Sequence, residues 1–102
     1  MTWVTVAKAS EVAPSTAQVV EADGLRLALC NTGEGFYAID DVCTHDGGQL
    51  DQGELDGNEI ECPRHGARFD VITGRALCLP AVRPVRTYAT RLAGDTIEVE
   101  IP

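Results

Sequence analysis

No apolar run in this 102-residue chain approaches the ~20 residues of a membrane helix. The opening Met1-Thr2-Trp3-Val4 has neither the basic start nor the long apolar stretch of a secretion signal. The expectation is a cytoplasmic protein with no membrane contact. Positive charge is scarce: eight Lys and Arg face sixteen Asp and Glu, a formal net charge of −8. Such a chain repels a phosphate backbone, which excludes nucleic acid as a partner. Between Glu34 and Glu61 there is no Lys or Arg at all, while nine acids fall there, including Asp46, Glu54, Asp56 and Glu59. Between Cys62 and Arg91 the balance reverses, with six arginines and the single acid Asp70. Solvated loops with partly paired charges account for this order; surfaces that steer charged protein partners are the sharper reading. Repeats, low-complexity stretches and linkers are absent, so residues 1–102 read as one domain.

Strand patterns fill most of the chain. Trp3 to Val6 suggests a first strand. Gln18 to Glu21 runs into Asp23-Gly24, a strong hairpin signal, and then into Leu25 to Leu29, whose alternating leucines put one face into a core. Phe36 to Ile39 makes another strand. Leu55 and Ile60 flank a turn at Asp56-Gly57-Asn58. Near the end, Thr87 to Arg91 and Thr96 to Glu100 flank Ala93-Gly94-Asp95. Only Ser10 to Ala13 suits a short helical turn, which Pro14 stops. The fold class is all-β, a small antiparallel sandwich or barrel. The segment from about 41 to 74, rich in Gly, Asp, His, Cys and Pro, reads as a subdomain inserted between strands of that base. Pro80 and Pro84 make a stiff loop packed near it.

Both histidines of the chain fall in that segment, each just after a cysteine. Cys43-Thr44-His45 and Cys62-Pro63-Arg64-His65 are two short hooks, sixteen residues apart. Thiolate and imidazole together suit zinc or iron. Ligands two apart, as in the first hook, would point the same way from a strand; the second hook needs a turn, which Pro63 helps set. Gly47, Gly48 and Gly66 would let backbone N–H groups approach a sulfide or thiolate. A cytoplasmic setting argues against disulfides, so Cys30 and Cys78, away from the hooks, read as buried free thiols.

The run Cys43-Thr44-His45-Asp46-Gly47-Gly48, followed by Cys62-Pro63-Arg64-His65-Gly66 and Phe69-Asp70, resembles the signature of Rieske [2Fe–2S] proteins. The likeness spans essentially the whole chain. It implies one [2Fe–2S] cluster, with Cys43 and Cys62 on one iron and His45 and His65 on the other. Two ferric irons and two sulfides against two thiolates leave that site neutral, and one added electron makes it singly negative. Leu50, Phe69 and Pro80 would shield it from water, although ordinary core packing explains them equally.

Where the sequence departs from high-potential members of the family, the departures carry information. Those members join an extra cysteine after each hook in a disulfide; the matching residues here are Gly48 and Arg64. Their serine and tyrosine hydroxyls on sulfur are matched by Ala67 and Phe69. Fewer hydrogen bonds to sulfur imply a lower potential, roughly −150 to 0 mV. The resemblance is greatest to the ferredoxin component of bacterial aromatic-ring-hydroxylating dioxygenase systems. It implies a monomeric one-electron carrier between an NAD(P)H-dependent flavoprotein reductase and the Rieske centre of a terminal oxygenase, not an enzyme itself. The acidic stretch would meet the reductase, and the side near Arg64 and Arg68 the oxygenase. Alternatives are a small subunit of an assimilatory nitrite reductase and a zinc-stabilised interaction module.

Overall fold

In the computed structural model, residues 1–45, 47–79 and 83–102 are described. Eleven strands form three antiparallel sheets. The first, in the order β1-β11-β10, joins Thr2–Lys8, Thr96–Ile101 and Thr90–Ala93. The second, β2-β3-β4-β9, joins Thr16–Ala22, Leu25–Asn31, Phe36–Asp40 and Thr87–Tyr88. The third, β5-β6-β7-β8, joins Leu55–Asp56, Glu59–Glu61, Arg68–Asp70 and Ala76–Cys78. Single 3₁₀ turns occupy Ala9–Glu11 and Leu50–Gln52.

The hairpin at Asp23-Gly24 forms as its chemistry demands. Both residues have positive φ, 51° and 80°, the geometry that matches strand twist in a two-residue loop. Ala22 pairs with Leu25 across it. The strand that follows differs from the alternating pattern, because Leu27 to Asn31 are all buried. The second sheet is covered on both faces, so β3 serves two cores at once. Leu27 and Leu29, with Val20 and Ala38, pack against Ile97, Val99 and Ile101 of the first sheet. Ala28 and Cys30, with Ile39, pack against Cys43, Leu50, Ile60, Cys62, Phe69 and Val85. The second sheet is thus a wall between the base and the layer that holds the hooks.

Three further expectations are revised. The strand expected at Thr87 to Arg91 is broken at Ala89: Thr87–Tyr88 pairs with β4 in the second sheet, and Thr90–Ala93 pairs with β11 in the first. A strand that changes sheets makes a corner of the sandwich. Cys78 is exposed, not buried. It lies opposite Arg68 on the edge strand β8, which has no second strand partner among the described residues. The third sheet also runs past Gly74 to Cys78. Pro80 lies outside the described residues.

Candidate metal centre

Strand β4 delivers the chain to the first hook, and β6 delivers it to the second. Each hook is one loop with the same backbone bonding. In the first, the Cys43 N–H donates to the Gly48 carbonyl and the Gly47 N–H donates back to the Cys43 carbonyl, both at 2.8 Å. In the second, the Cys62 N–H donates to the Ala67 carbonyl at 2.7 Å, and the Gly66 N–H to the Cys62 carbonyl at 3.1 Å. Gly47 and Gly66 each have φ of 75°, a left-handed conformation that a Cβ disfavours. These two glycines therefore serve loop closure, and their N–H groups hold carbonyl oxygens in place of the sulfur contacts expected from the sequence. The first hook is likewise a turn and not a strand, so Cys43 and His45 point to different surroundings.

This loop closure sorts the donors into two pairs. Cys43 and Cys62 are buried at 1% and 0% exposure, inside the core shared with Leu50 and Phe69. His45 and His65 are exposed. Their ring centroids lie 5.5 Å apart, with the planes nearly perpendicular. The structure thus places both thiols in one buried core and both imidazoles side by side at the surface. Gly48 and Arg64 line one groove of about 320 Å³ between the two hooks.

Residues unremarked in the sequence hold this arrangement. The Asp41 carboxylate, fully buried at the end of β4, accepts the Asp51 N–H at 2.7 Å and Arg26 Nε at 3.1 Å. It thereby ties the first hook to the 3₁₀ turn at Leu50. Asp51 Oδ1 is itself buried without a partner among the described residues. Burial, and then the neighbouring Asp41 carboxyl, push the Asp51 pKa up to about 6. Thr44, between the two ligands of the first hook, donates its hydroxyl to the Arg83 carbonyl at 2.7 Å. Nothing in the sequence pattern announces these contacts, since their partners lie 10 to 39 residues away. Arg68, expected to face a partner, binds Glu61 at 3.1 Å and Glu59 at 3.5 Å across the third sheet. Elsewhere, Cys30 lies beneath the same core, and burial raises its thiol pKa to about 12.

Comparison with known proteins places this architecture. Residues 2–89 match the Rieske [2Fe–2S] domain family. The chain belongs to that family. Among the relatives, the ferredoxin component of a naphthalene 1,2-dioxygenase system from Pseudomonas aeruginosa is 36% identical over 99 residues, covering 97% of this chain and 95% of the relative. Among solved structures, the ferredoxin of carbazole 1,9a-dioxygenase from Nocardioides aromaticivorans IC177 superposes with a TM-score of 0.93 at 38% identity, covering 97% of each chain. A complex of reduced oxygenase and oxidized ferredoxin in carbazole 1,9a-dioxygenase contains a chain 37% identical, with a TM-score of 0.89, covering 95% of this chain and 91% of the other. The chain is accordingly a Rieske-type ferredoxin that carries a [2Fe–2S] cluster, an electron-transfer component and not a catalyst. Among the described residues no helix is long and apolar enough to cross a membrane.

Proposed function

We propose that the chain carries single electrons from an NAD(P)H-dependent flavoprotein reductase to the terminal oxygenase of an aromatic-ring dioxygenase system. The observation that carries this reading is the sorting of donors: Cys43 and Cys62 buried in one core, His45 and His65 exposed side by side. In this reading Cys43 and Cys62 hold one iron and His45 and His65 the other. The donor set fits, because two thiolates inside an apolar core need a bound metal to balance their charge. The cluster, when bound, supplies one reversible electron. The protein's residues do the rest. Leu50 and Phe69, both fully buried, exclude water from the thiolate side. The histidine edges form the port through which a docked partner exchanges the electron. Exposure at this port suits a carrier that must visit two partners in turn through small interfaces, below about 1,200 Å². Such a shuttle works as a monomer in the cytoplasm, and its oxygenase selects the aromatic substrate.

EPR of the dithionite-reduced protein, with iron and acid-labile sulfide quantified on the same sample, tests the reading. The expected result is a rhombic signal with average g below that of an all-cysteine ferredoxin, and two irons and two sulfides per chain. One zinc without sulfide would overturn it. A single-turnover mix of reduced protein with oxygenase then tests the route.

A further inference from the structure

One short segment beside the electron port is held more firmly than a connecting loop requires. Residues 83–86 form no strand, yet they are fastened at three successive points. Thr44 of the first hook binds the Arg83 carbonyl at 2.7 Å. The Val85 N–H donates to the Gly74 carbonyl at 2.8 Å, and Val85 is buried. A Cβ on Gly74 would overlap the Val85 carbonyl, so the two backbones meet with no room between them. The Asp40 N–H binds the Arg86 carbonyl at 2.9 Å. The segment therefore presents two exposed arginines from a fixed backbone, Arg83 where it meets the first hook at Thr44 and Arg86 where it meets the end of β4 at Asp40.

Three of the chain's other cations are already paired within it. Arg26, Arg68 and Arg91 are tied to Asp41, to Glu59 and Glu61, and to Glu98. Arg83 has no ion-pair partner among the described residues, and Arg86 lies beside the Tyr88 hydroxyl and the Asp40 carboxylate. In a protein of net charge −8 this is a local exception. An acidic protein is repelled by most of the surface and admitted here, so approach and orientation are selected together.

We propose that the Arg83–Arg86 segment is the docking surface for the electron donor, which meets it with carboxylates around its flavin. This rests on the electron-carrier reading above and reverses the charge assignment expected from the sequence. The step itself moves one electron: the reduced flavin of the donor loses it, and one ferric iron held at the hooks becomes ferrous. Reduction adds a negative charge there. A carboxylate-lined donor therefore binds the oxidised carrier more tightly than the reduced one and releases its product. An acceptor that must take up the reduced form gains nothing from the same arrangement.

Stopped-flow reduction by flavodoxin hydroquinone, an acidic flavoprotein standing in for the donor, tests the proposal. The expected second-order rate constant falls about tenfold in the double variant R83E/R86E at low ionic strength and converges with wild type at high salt. Reduction of cytochrome c, a basic acceptor, should not fall. The single variant R83E, at a side chain with no ion pair to lose, should show a smaller loss of the same kind. Equal flavodoxin rates at low salt, or a loss that persists at high salt, would overturn the docking surface. The EPR signal of each variant separates the two readings: no Rieske signal in wild type defeats the carrier function, whereas an intact signal with a flat salt response defeats only the docking surface.

Discussion

Gly53 and Glu61 touch through their backbones: a Cβ on Gly53 would overlap the Glu61 carbonyl carbon and oxygen. The contact joins the end of the Leu50–Gln52 turn to the residue just before Cys62. Gly53 has φ of −84°, so conformational freedom is not why glycine stands there; closeness is. Gly53→Ala should cost about 1–3 kcal/mol and lower the iron bound per chain, because the second hook must shift. Gly57→Ala, at φ of 60° with no atom within 4 Å of a new Cβ, should cost about 1–2 kcal/mol and leave iron content unchanged. Urea denaturation with metal analysis compares them.

Asp51 gives a stability signature in acid. Its folded pKa of about 6 lies above the unfolded carboxylate value of about 3.9. The folded state therefore prefers the protonated form, and the group's contribution is complete below about pH 4 and lost as pH rises through 6. Asp51→Asn, which keeps a donor toward Asp41, should raise the Tm relative to wild type increasingly between pH 4 and 7. A constant difference across that window would show that another group carries the proton.

Ala67 and Phe69 are fully buried in the core that contains both thiols. The wild-type midpoint potential is expected at roughly −150 to 0 mV. Restoring a hydroxyl with Ala67→Ser or Phe69→Tyr should raise it by about 40 mV each, the one-electron equivalent of a net hydrogen bond of ~1 kcal/mol. Protein-film voltammetry reads the shift. A potential that stays put would mean the new hydroxyl points away from sulfur.

The four cysteines should separate by reactivity. Cys78 is exposed, and its Sγ lies 3.7 Å from the Gly66 carbonyl. Cys30 is buried, with its thiol pushed to about 12. In the cluster-loaded protein an aromatic disulfide reagent should titrate one thiol, lost in Cys78→Ser, and in the unfolded, demetallated chain four. Two fast thiols in the native protein would contradict the buried setting of Cys30.

The hooks were legible in the sequence because ligand spacing is a local, covalent property. The β2–β3 hairpin was legible for the same reason, its turn being written in Asp23 and Gly24. What stayed hidden depends on pieces that meet only in three dimensions. That β3 is buried on both faces follows from a third sheet lying across it. The break at Ala89 follows from Thr87–Tyr88 and Thr90–Ala93 finding different sheets. Arg68 was read in sequence as part of a partner-facing side and is paired because β6–β7 register sets it opposite Glu61. Cys78 has apolar neighbours in Leu77 and Leu79, yet Leu77 and Cys78 are exposed on an edge strand and Leu79 is exposed just after it.

The turn from β7 to β8 repeats the hook design without any ligand. The Asp70 N–H donates to the Arg75 carbonyl at 2.9 Å, the Gly74 N–H returns to the Asp70 carbonyl at 2.7 Å, and Gly74 has φ of 80°. Here the Asp70 side chain, bound to the Ile72 and Thr73 N–H groups, fills the interior of the loop. The same closure is thus used three times among the described residues, and only the side chains set inside it distinguish an expected ligand hook from a plain bend.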